Sequence, residues 1–397
     1  MKHKIRRLRR VRSNALDIGI DRVVFKTLNL KNINAKLLRR SFHISEGGDI
    51  FRVMIDKTGE ELKVNCIKVK SSDEQPLKIT SLDVGVKKIK KLYKSYEYLD
   101  VTLPKMFDEE AINVSNVSSL MRFKRSLRKI EEELKLLGFT DIDLGKAQVE
   151  ELEINVNVPL QKNFYEYEGA LRYLKSLLPK TLRRGQSYRD RLNNQYTGFK
   201  AFNNSVSIKF YDKRKQILEE HKKDIGYELL RIEYRMLKAE KVKGFIGTIE
   251  VNDILNNFSC IADSFKRGLE KDLISKIQKD INSQVDETSK VLKKYKRAGK
   301  NVIDSCLKND KIIDIEILLG ALKKVEIPNI YMREARKAIK SAGEINKENL
   351  FGNIKRLNEI LQLLGYKKIK IETTKTVEEE LKRILLKKPS TLMGVRV

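Results

Sequence analysis

Alternating apolar and polar residues predict several β-strands in the first two-thirds of the chain. The clearest alternation is VEELEINVNVP at 149–159, where every second residue is apolar and the residues between are mostly Glu or Asn. Because side chains two residues apart point to the same face of a strand, this strand is expected to have one apolar and one polar face. Other strands are predicted at 18–30, 50–56, 61–69, 97–103, 205–211 and 227–236, with KTGE as a hairpin signal between the second and third of these.

Helical spacing appears first in one long segment before the 149–159 strand. Apolar residues there follow one another at intervals of three and four, and they are Leu120, Phe123, Leu127, Ile130, Leu134 and Leu137. Ser118 or Ser119 is expected to cap this helix and Gly138 to end it, with the apolar stripe in the core. Shorter helices are predicted at 167–178 and 213–223, whereas the basic stretch 180–204 is predicted to be a loop or loose hairpin.

The pattern changes to helices after about residue 248. Helical segments are predicted near 251–283, 288–298, 301–308, 314–323, 331–342, 347–364 and 376–388. The predicted fold class is therefore α+β, an antiparallel sheet with flanking helices followed by a mostly helical C-terminal region. We expect a strand-rich domain at 1–248, with its main sheet at about 149–236, and a helical domain at 249–397.

The net charge of +29 over 397 residues indicates what kind of partner the protein binds. Seven of the first twelve residues are Lys or Arg, and further basic clusters lie along the chain. Lys and Arg release counterions from phosphates whatever the base sequence, so the charge predicts a polyanionic partner and favours nucleic acid. An anionic membrane surface is less favoured, because no basic amphipathic helix with aromatic anchors is evident.

The sequence lacks the features typical of several classes of protein. The three cysteines are widely spaced, which predicts a reducing cytosol without disulfides. No apolar run reaches the roughly 20 residues of a membrane span, and the basic N-terminus is not that of a secretory signal. The three histidines are isolated, so a zinc site is not expected, and the absence of a nucleotide-phosphate loop argues against ATP-driven work.

The polar faces of three predicted strands carry a candidate site. Pairing of these strands would place Glu153, Lys209, Tyr211 and Glu233 on one face, together with Asn155, Arg231 and Arg235. Carboxylates can hold a hard divalent cation, a tyrosine hydroxyl can attack phosphorus after losing its proton, and the cations can hold phosphates. Lys213 and Lys215 follow the tyrosine closely and could lower its pKa or protonate the leaving oxygen.

Alternatives remain open at this stage. An antiparallel sheet normally has one solvated polar face, and these residue types are common on such a face. Tyr196, in NNQYTGF, is a second candidate nucleophile that looks exposed, whereas Tyr165, Tyr167 and Tyr173 look like helix-packing residues. Phe199 and Phe202 could stack on single-stranded bases or form a partly buried loop cluster.

The order of these segments resembles the rolling-circle replication initiators, or nickases, of filamentous bacteriophages, and more distantly those of plasmids. The similarity is carried by LDIGIDRVVFKTLNL, LDVTLPKMF, the helix at 117–137, ELEINVNV, SVSIKFYDK and LLRIEYRMLKAEKVKGF, in that order. The chain departs from many related nickases in having no histidine pair around a hydrophobic residue.

The resemblance implies that Tyr211 is the nicking tyrosine and that Lys213 follows it at the family's spacing. It also implies that Arg231, Glu233 and Arg235 line the site, while Glu153 falls where the family tends to have an aspartate. Glu233 and Glu153 would then hold Mg²⁺ or Mn²⁺. Lys209, Arg231, Arg235 and, in the basic stretch, Arg183 and Arg184 are the expected DNA-binding residues.

The function expected from this resemblance is nicking and rejoining of one DNA strand at an origin through a phosphotyrosine. Its partners would be single- and double-stranded origin DNA and the host helicase and polymerase, in the cytoplasm of a bacterial cell and without a membrane. A non-catalytic DNA-binding initiator or regulator is the alternative. The sequence leaves open the origin, the oligomeric state and whether the element is a phage or a plasmid.

Overall fold

The structure of the protein is a computed structural model. It describes residues 16–26, 53–55, 62–64, 67–69, 82–89, 94–106, 114, 116–136, 142–182, 184–190, 193–294, 314–325 and 352–371. The predicted helices at 301–308, 331–342 and 376–388, as well as Arg183, lie outside these residues.

Eleven strands occur in the described part of the chain. They are β1 (Ile18–Lys26), β2 (Val53–Ile55), β3 (Leu62–Val64), β4 (Ile67–Val69), β5 (Leu82–Ile89), β6 (Lys94–Thr102), β7 (Gln148–Pro159), β8 (Arg184–Arg189), β9 (Tyr196–Phe202), β10 (Val206–Asp212) and β11 (Leu229–Met236). Nine of them form one sheet in the order β4-β5-β6-β1-β7-β11-β10-β9-β8, and β2 pairs with β3 separately.

The centre of the large sheet is antiparallel, as the alternation predicted. β7 pairs with β1 on one side and with β11 on the other, and β10 lies between β11 and β9. The apolar residues of these strands are buried, among them Leu152, Ile154, Ile208, Phe210 and Ile232. Their burial fixes the register, because a slip of one residue would move the whole apolar set to the other face of the sheet.

Nine α-helices occur in the described ranges. They are α1 (Leu120–Leu136), α2 (Glu168–Leu177), α3 (Lys213–His221), α4 (Ala239–Ile246), α5 (Val251–Asn256), α6 (Cys260–Leu269), α7 (Ser275–Lys294), α8 (Ile315–Lys324) and α9 (Asn353–Leu363). Four residues of the predicted stripe of α1 are buried, namely Phe123, Leu127, Ile130 and Leu134, whereas Leu120 is half-buried and Leu137 and Gly138 lie outside the described residues. The Ser119 hydroxyl accepts a hydrogen bond from the Arg122 amide at 3.3 Å, as expected of a cap. In the described part, no helix is both long enough and apolar enough to cross a membrane.

The chain divides into two compact units. The first comprises Met1–Pro159, Pro179–Arg191 and Thr197–Leu269, and it contains most of the sheet together with α1 and α3–α6. The second comprises Leu160–Leu178, Leu192–Tyr196 and Glu270–Val397, with α2 and α7–α9. The predicted division into functional domains at about residue 248 stays a prediction.

The α+β class and most predicted elements are confirmed, and of the two alternatives predicted for 180–204, a loop or a loose hairpin, the structure has two neighbouring strands. β8 and β9 occupy this stretch and extend the sheet beyond β10. The stretch is polar because β8 lies at the sheet edge, where Gly185, Gln186 and Ser187 are exposed. Edge strands need little apolar surface, so hydrophobic alternation does not reveal them.

Candidate active site

The polar faces of β7, β10 and β11 form one continuous surface. Glu233 on β11 lies opposite Lys209 on β10 and opposite Asn155 on β7. Arg235 lies opposite Glu153 in the second of these pairs. The structure therefore brings together the carboxylates and the lysine that the sequence placed on three separate strands.

Glu233 is the hydrogen-bonding centre of this surface. The Tyr211 hydroxyl donates to its Oε1 at 2.5 Å, and the Lys209 Nζ donates to its Oε2 at 2.5 Å. Glu233 is buried, whereas Tyr211 and Lys209 keep part of their surface exposed. The hydroxyl is thus held in one position at the boundary between the sheet and solvent.

Asp21 joins the two predicted carboxylates. Asp21, Glu153 and Glu233 each offer an oxygen atom such that the three lie within 4.8 Å of one another, and all three residues are buried. In the β1–β7 pair, Ile20 lies opposite Ile154 and Arg22 lies opposite Glu153, so Asp21 is an extra residue in the ladder. Such a bulge re-aims a side chain, which accounts for a carboxylate of β1 on the polar face.

This carboxylate group suits a hard divalent cation. Burial, then the charges of Glu233 and Asp21, raise the pKa of Glu153 to about 8, which shows how poorly this site tolerates a third negative charge. Oxygen donors of this kind are those that Mg²⁺ and Mn²⁺ prefer. The residues fit such an ion, which would remove the repulsion among the carboxylates.

Arg231 contacts Asp21 and Asn157 from a buried position in the sheet. Its side chain is fully buried, with a relative exposure of 0%, and its Nε donates to Asn157 Oδ1 at 2.8 Å. Its Nη1 lies 3.8 Å from Asp21 Oδ2, and its positive charge favours the ionised form of Tyr211. The expectation that Arg231 contacts DNA is wrong, because a fully buried guanidinium has no surface to offer a phosphate.

The tyrosine itself is strongly held in its neutral form. Burial, followed by the charge of Glu233, raises the pKa of Tyr211 well above its usual value, and Arg231 opposes this shift. A positive charge near the hydroxyl would favour its ionisation.

Lys213 lies at the beginning of α3, two residues after Tyr211. It is buried, with a relative exposure of 4%, and its Nζ donates to Gln216 Oε1 at 3.0 Å. Burial and the charge of Arg231 lower the pKa of Lys213 to about 8. The local turn is fixed by Asp212, whose carboxylate caps α3 by accepting from the Lys215 amide at 2.9 Å. This lysine can therefore gain or lose a proton near neutral pH.

A cavity of about 500 Å³ opens over this group. Its lining includes Asp21, Glu153, Tyr211 and Glu233, together with cations from β10, α3 and β11. Tyr188 of β8 also lines it, and burial raises the pKa of this phenol, while Lys209 opposes that shift. The sequence did not identify Tyr188, because its strand carries no apolar alternation.

The remaining predicted residues differ in their surroundings. Tyr196 is buried with a relative exposure of 1%, and the Arg172 guanidinium lies 5.2 Å from its ring centre. The expectation that Tyr196 is exposed is therefore wrong. Phe199 is also buried and stacks on Phe210 with ring centres 4.9 Å apart, so the cluster interpretation holds for this residue.

The other predicted basic and aromatic residues differ in their burial. Arg235 donates to Glu151 Oε2 at 2.6 Å and remains partly exposed beside Glu153. Arg184 begins β8, and only its backbone is described. Tyr167 and Tyr173 are buried as expected, but Tyr165 is 51% exposed and does not pack in the core.

Comparison with known proteins gives a structural similarity and no match by sequence. No protein-family model and no curated protein matches it. A solved structure of a rolling circle replication initiator protein from Geobacillus stearothermophilus is similar to it with a TM-score of 0.32 and 10% identity. That similarity covers 65% of this chain and 86% of the other. A similarity of this size carries no argument about function, which depends here on the site itself.

Proposed function

We propose that the chain is a replication initiator that nicks and rejoins one DNA strand through a phosphotyrosine intermediate. The observation that supports this most is the hydrogen bond from Tyr211 to Glu233 inside a group of three buried carboxylates. A nucleophile, a cation site and phosphate-binding side chains then share one open cavity. A solvated sheet face explains polar residues, but it does not explain three mutually close buried carboxylates.

In this proposal the Tyr211 oxygen forms a bond to phosphorus and the bond from phosphorus to the 3′-oxygen breaks. The tyrosine proton passes to Glu233, to which the hydroxyl already donates. Lys213 gives a proton to the leaving 3′-oxygen, since its lowered pKa suits that transfer near neutral pH. The products are a 5′-phosphotyrosine and a free 3′-hydroxyl, and the reverse reaction rejoins the strand without a nucleotide cofactor.

Asp21, Glu153 and Glu233 would hold Mg²⁺ or Mn²⁺, which supplies positive charge to the phosphate when bound. Lys209 and Arg235 hold the phosphates on either side of the cleaved bond. Arg231 orients Tyr211 and Asp21 from beneath. The free 3′-hydroxyl would then serve a host polymerase, with a host helicase to separate the strands.

A covalent-adduct experiment tests this proposal. Full-length protein is incubated with Mn²⁺ and single-stranded oligonucleotides from phage and plasmid origins, labelled at either end, and run on a denaturing gel. A 5′-phosphotyrosine keeps the 3′-labelled fragment on the protein and releases the 5′-labelled one. Peptide mapping of the adduct should then identify Tyr211.

The alternative is a non-catalytic DNA-binding initiator or regulator. A protein of this kind should bind the oligonucleotides on a native gel in a sequence-dependent way and form no covalent adduct with any of them. The alternative would also be favoured if the peptide map found no modified tyrosine in a cleaved sample.

A further inference from the structure

The outer face of α1 is basic in a way that its core role does not explain. One side of α1 is buried, whereas Met121, Lys124, Arg125 and Arg128 are exposed on the other. Together with Leu120 they line a groove of about 650 Å³ that shares no residue with the cavity over Tyr211. Met121 is 79% exposed, so an apolar side chain lies in water among these cations.

The order of charges along α1 opposes the stability of the helix. Five Lys or Arg and no acidic residue occur in its first ten residues, and three consecutive Glu follow at 131–133. The helix dipole favours the reverse order, with acids near the start and cations near the end. The cations therefore raise the free energy of the isolated helix, and a negatively charged ligand would account for their placement.

A long helix elsewhere in the chain shows what a solvated face looks like. On α7, exposed Lys279, Lys290 and Lys293 occur beside the exposed acids Asp286 and Glu287. Mixed signs of this kind suit solubility, because opposite charges limit self-repulsion. The first ten residues of α1 lack acids, and the exposed Glu132 follows only one turn after Arg128, so the face is basic over the first turns of the helix.

The basic face is fixed to the strand that carries Asp21. Before α1, Val117 exchanges two backbone hydrogen bonds with Ile20, at 3.1 and 3.3 Å. Arg122 Nη1 donates to the Asn116 carbonyl at 2.7 Å, which ties the first turn of the helix to the same segment. A ligand on this face would therefore be held in a defined position relative to the carboxylates.

We propose that this face binds the phosphates of a DNA duplex. An α-helix is about 10–12 Å across and fits the major groove of about 12 Å, whose walls are lined by phosphates. Lys124, Arg125 and Arg128 span about one turn and neutralise phosphates of any sequence, while Met121 supplies an apolar contact of the kind made with a thymine methyl group. The inference depends on the proposed function only for the identity of the duplex as an origin.

The test compares three variants of the full-length protein, each with three substitutions. The first is Lys124→Gln with Arg125→Gln and Arg128→Gln, and the second keeps the charge through Lys124→Arg, Arg125→Lys and Arg128→Lys. The third is the control Lys279→Gln, Lys290→Gln and Lys293→Gln, which removes the same charge from α7. Binding to a labelled mixed-sequence duplex is measured by fluorescence anisotropy over a range of salt concentrations, together with the melting temperature.

We expect the first variant to bind the duplex on the order of 10²- to 10³-fold more weakly at about 0.1 M salt, with a salt slope smaller by about 2.7, or 0.9 per lost contact. Its melting temperature should not fall, because the removed cations oppose the helix dipole. The other two variants should bind almost like the unmodified protein, and adduct formation on a single-stranded oligonucleotide should be unchanged in all three.

Two results would overturn the inference. One is equal loss of duplex binding in the α1 and α7 glutamine variants, since the effect would then be one of net charge. The other is unchanged duplex binding in the α1 glutamine variant. A protein that forms no adduct at all contradicts the proposed nicking and leaves the duplex measurement interpretable.

Discussion

Gly198 lies directly opposite Tyr211 in the pair of β9 and β10, and no side chain fits between the two residues. A Cβ atom added to Gly198 would lie 2.6 Å from Tyr211 Cα and 2.1 Å from the Phe210 carbonyl oxygen. Gly198 also has a φ of +136°, which other residues rarely adopt. The position of the tyrosine therefore depends on this glycine.

Replacing Gly198 by Ala should displace β10 at Tyr211. We expect Gly198→Ala to lower the free energy of unfolding by about 2–3 kcal/mol and to abolish adduct formation. The backbone strain of a positive φ and the clash of the new Cβ with β10 both contribute to this loss. Urea unfolding and the adduct gel measure the two effects. Gly226→Ala is the control, because Gly226 also has a positive φ of 78° but faces open space. A Gly198→Ala protein with normal stability and full adduct yield would contradict the role of the close approach.

The two tyrosines proposed from the sequence can be separated by removing each hydroxyl. Tyr211→Phe should leave no detectable adduct while the protein stays folded, because the ring still fits and only the hydroxyl is lost. Tyr196→Phe should keep the adduct, because Tyr196 is buried away from solvent. The assignment fails if Tyr196→Phe removes the adduct and Tyr211→Phe retains it.

Binding of a cation at the carboxylates should be visible without any DNA. Mn²⁺ should raise the melting temperature of the protein, since at about 100 times its dissociation constant it stabilises the folded state by about 2.7 kcal/mol. Glu153→Gln should remove most of that increase, because the group loses one of its three carboxylates. Asp263→Asn, an exposed acid of α6, is the matched control and should respond like the unmodified protein. Equal responses in both variants would place the ion elsewhere.

The second unit should show its own dependence on pH through Asp314. This buried carboxylate accepts hydrogen bonds from the Glu316 amide at 3.0 Å and the Ile354 amide at 2.9 Å. Burial raises the pKa of Asp314 to about 7 in the folded protein. Because the folded state then binds the proton more tightly than the unfolded state does, its contribution to stability is present below about pH 4 and is lost as pH rises to about 7.

Urea unfolding between pH 4 and pH 8 tests this dependence. The free energy of unfolding should fall by an amount on the order of 2–4 kcal/mol across that range on account of Asp314, and Asp314→Asn should reduce the fall to the part that comes from Glu153, whose pKa is also raised. Asp143→Asn is the control, because Asp143 caps a short helix from an exposed position. The prediction is wrong if both variants keep the slope of the unmodified protein.

The sequence predicted which side chains share the polar face where the strands alternate regularly. Tyr211 and Glu233 lie on strands whose apolar residues alternate without interruption, so their face followed from the pattern. Asp21 was missed because the bulge in β1 breaks that alternation, and a carboxylate within the apolar run IGIDRVVF was the available signal. A bulge is defined by how two strands pair, and the sequence of one strand alone does not show that pairing.

Burial of polar residues was the other limit of sequence reasoning. Arg231 belongs by alternation to the polar face, but neighbouring strands and side chains cover it completely. Tyr196 begins a strand in a polar stretch, so its burial comes from elements distant in sequence. Both cases depend on tertiary packing, which a local pattern of residue types cannot report.

Tyr211 is carried on β10, an interior strand with β11 on one side and β9 on the other. The Tyr211 hydroxyl therefore cannot move with the end of a cleaved DNA strand, as a hydroxyl on a long loop could. In the proposed reaction the DNA would have to make every movement, leaving and returning to a stationary protein atom. The rate of rejoining would then depend on how long the DNA end bound to Tyr211 and the free 3′ end stay close to each other. The path of the DNA over the protein would therefore determine how fast the strand is resealed.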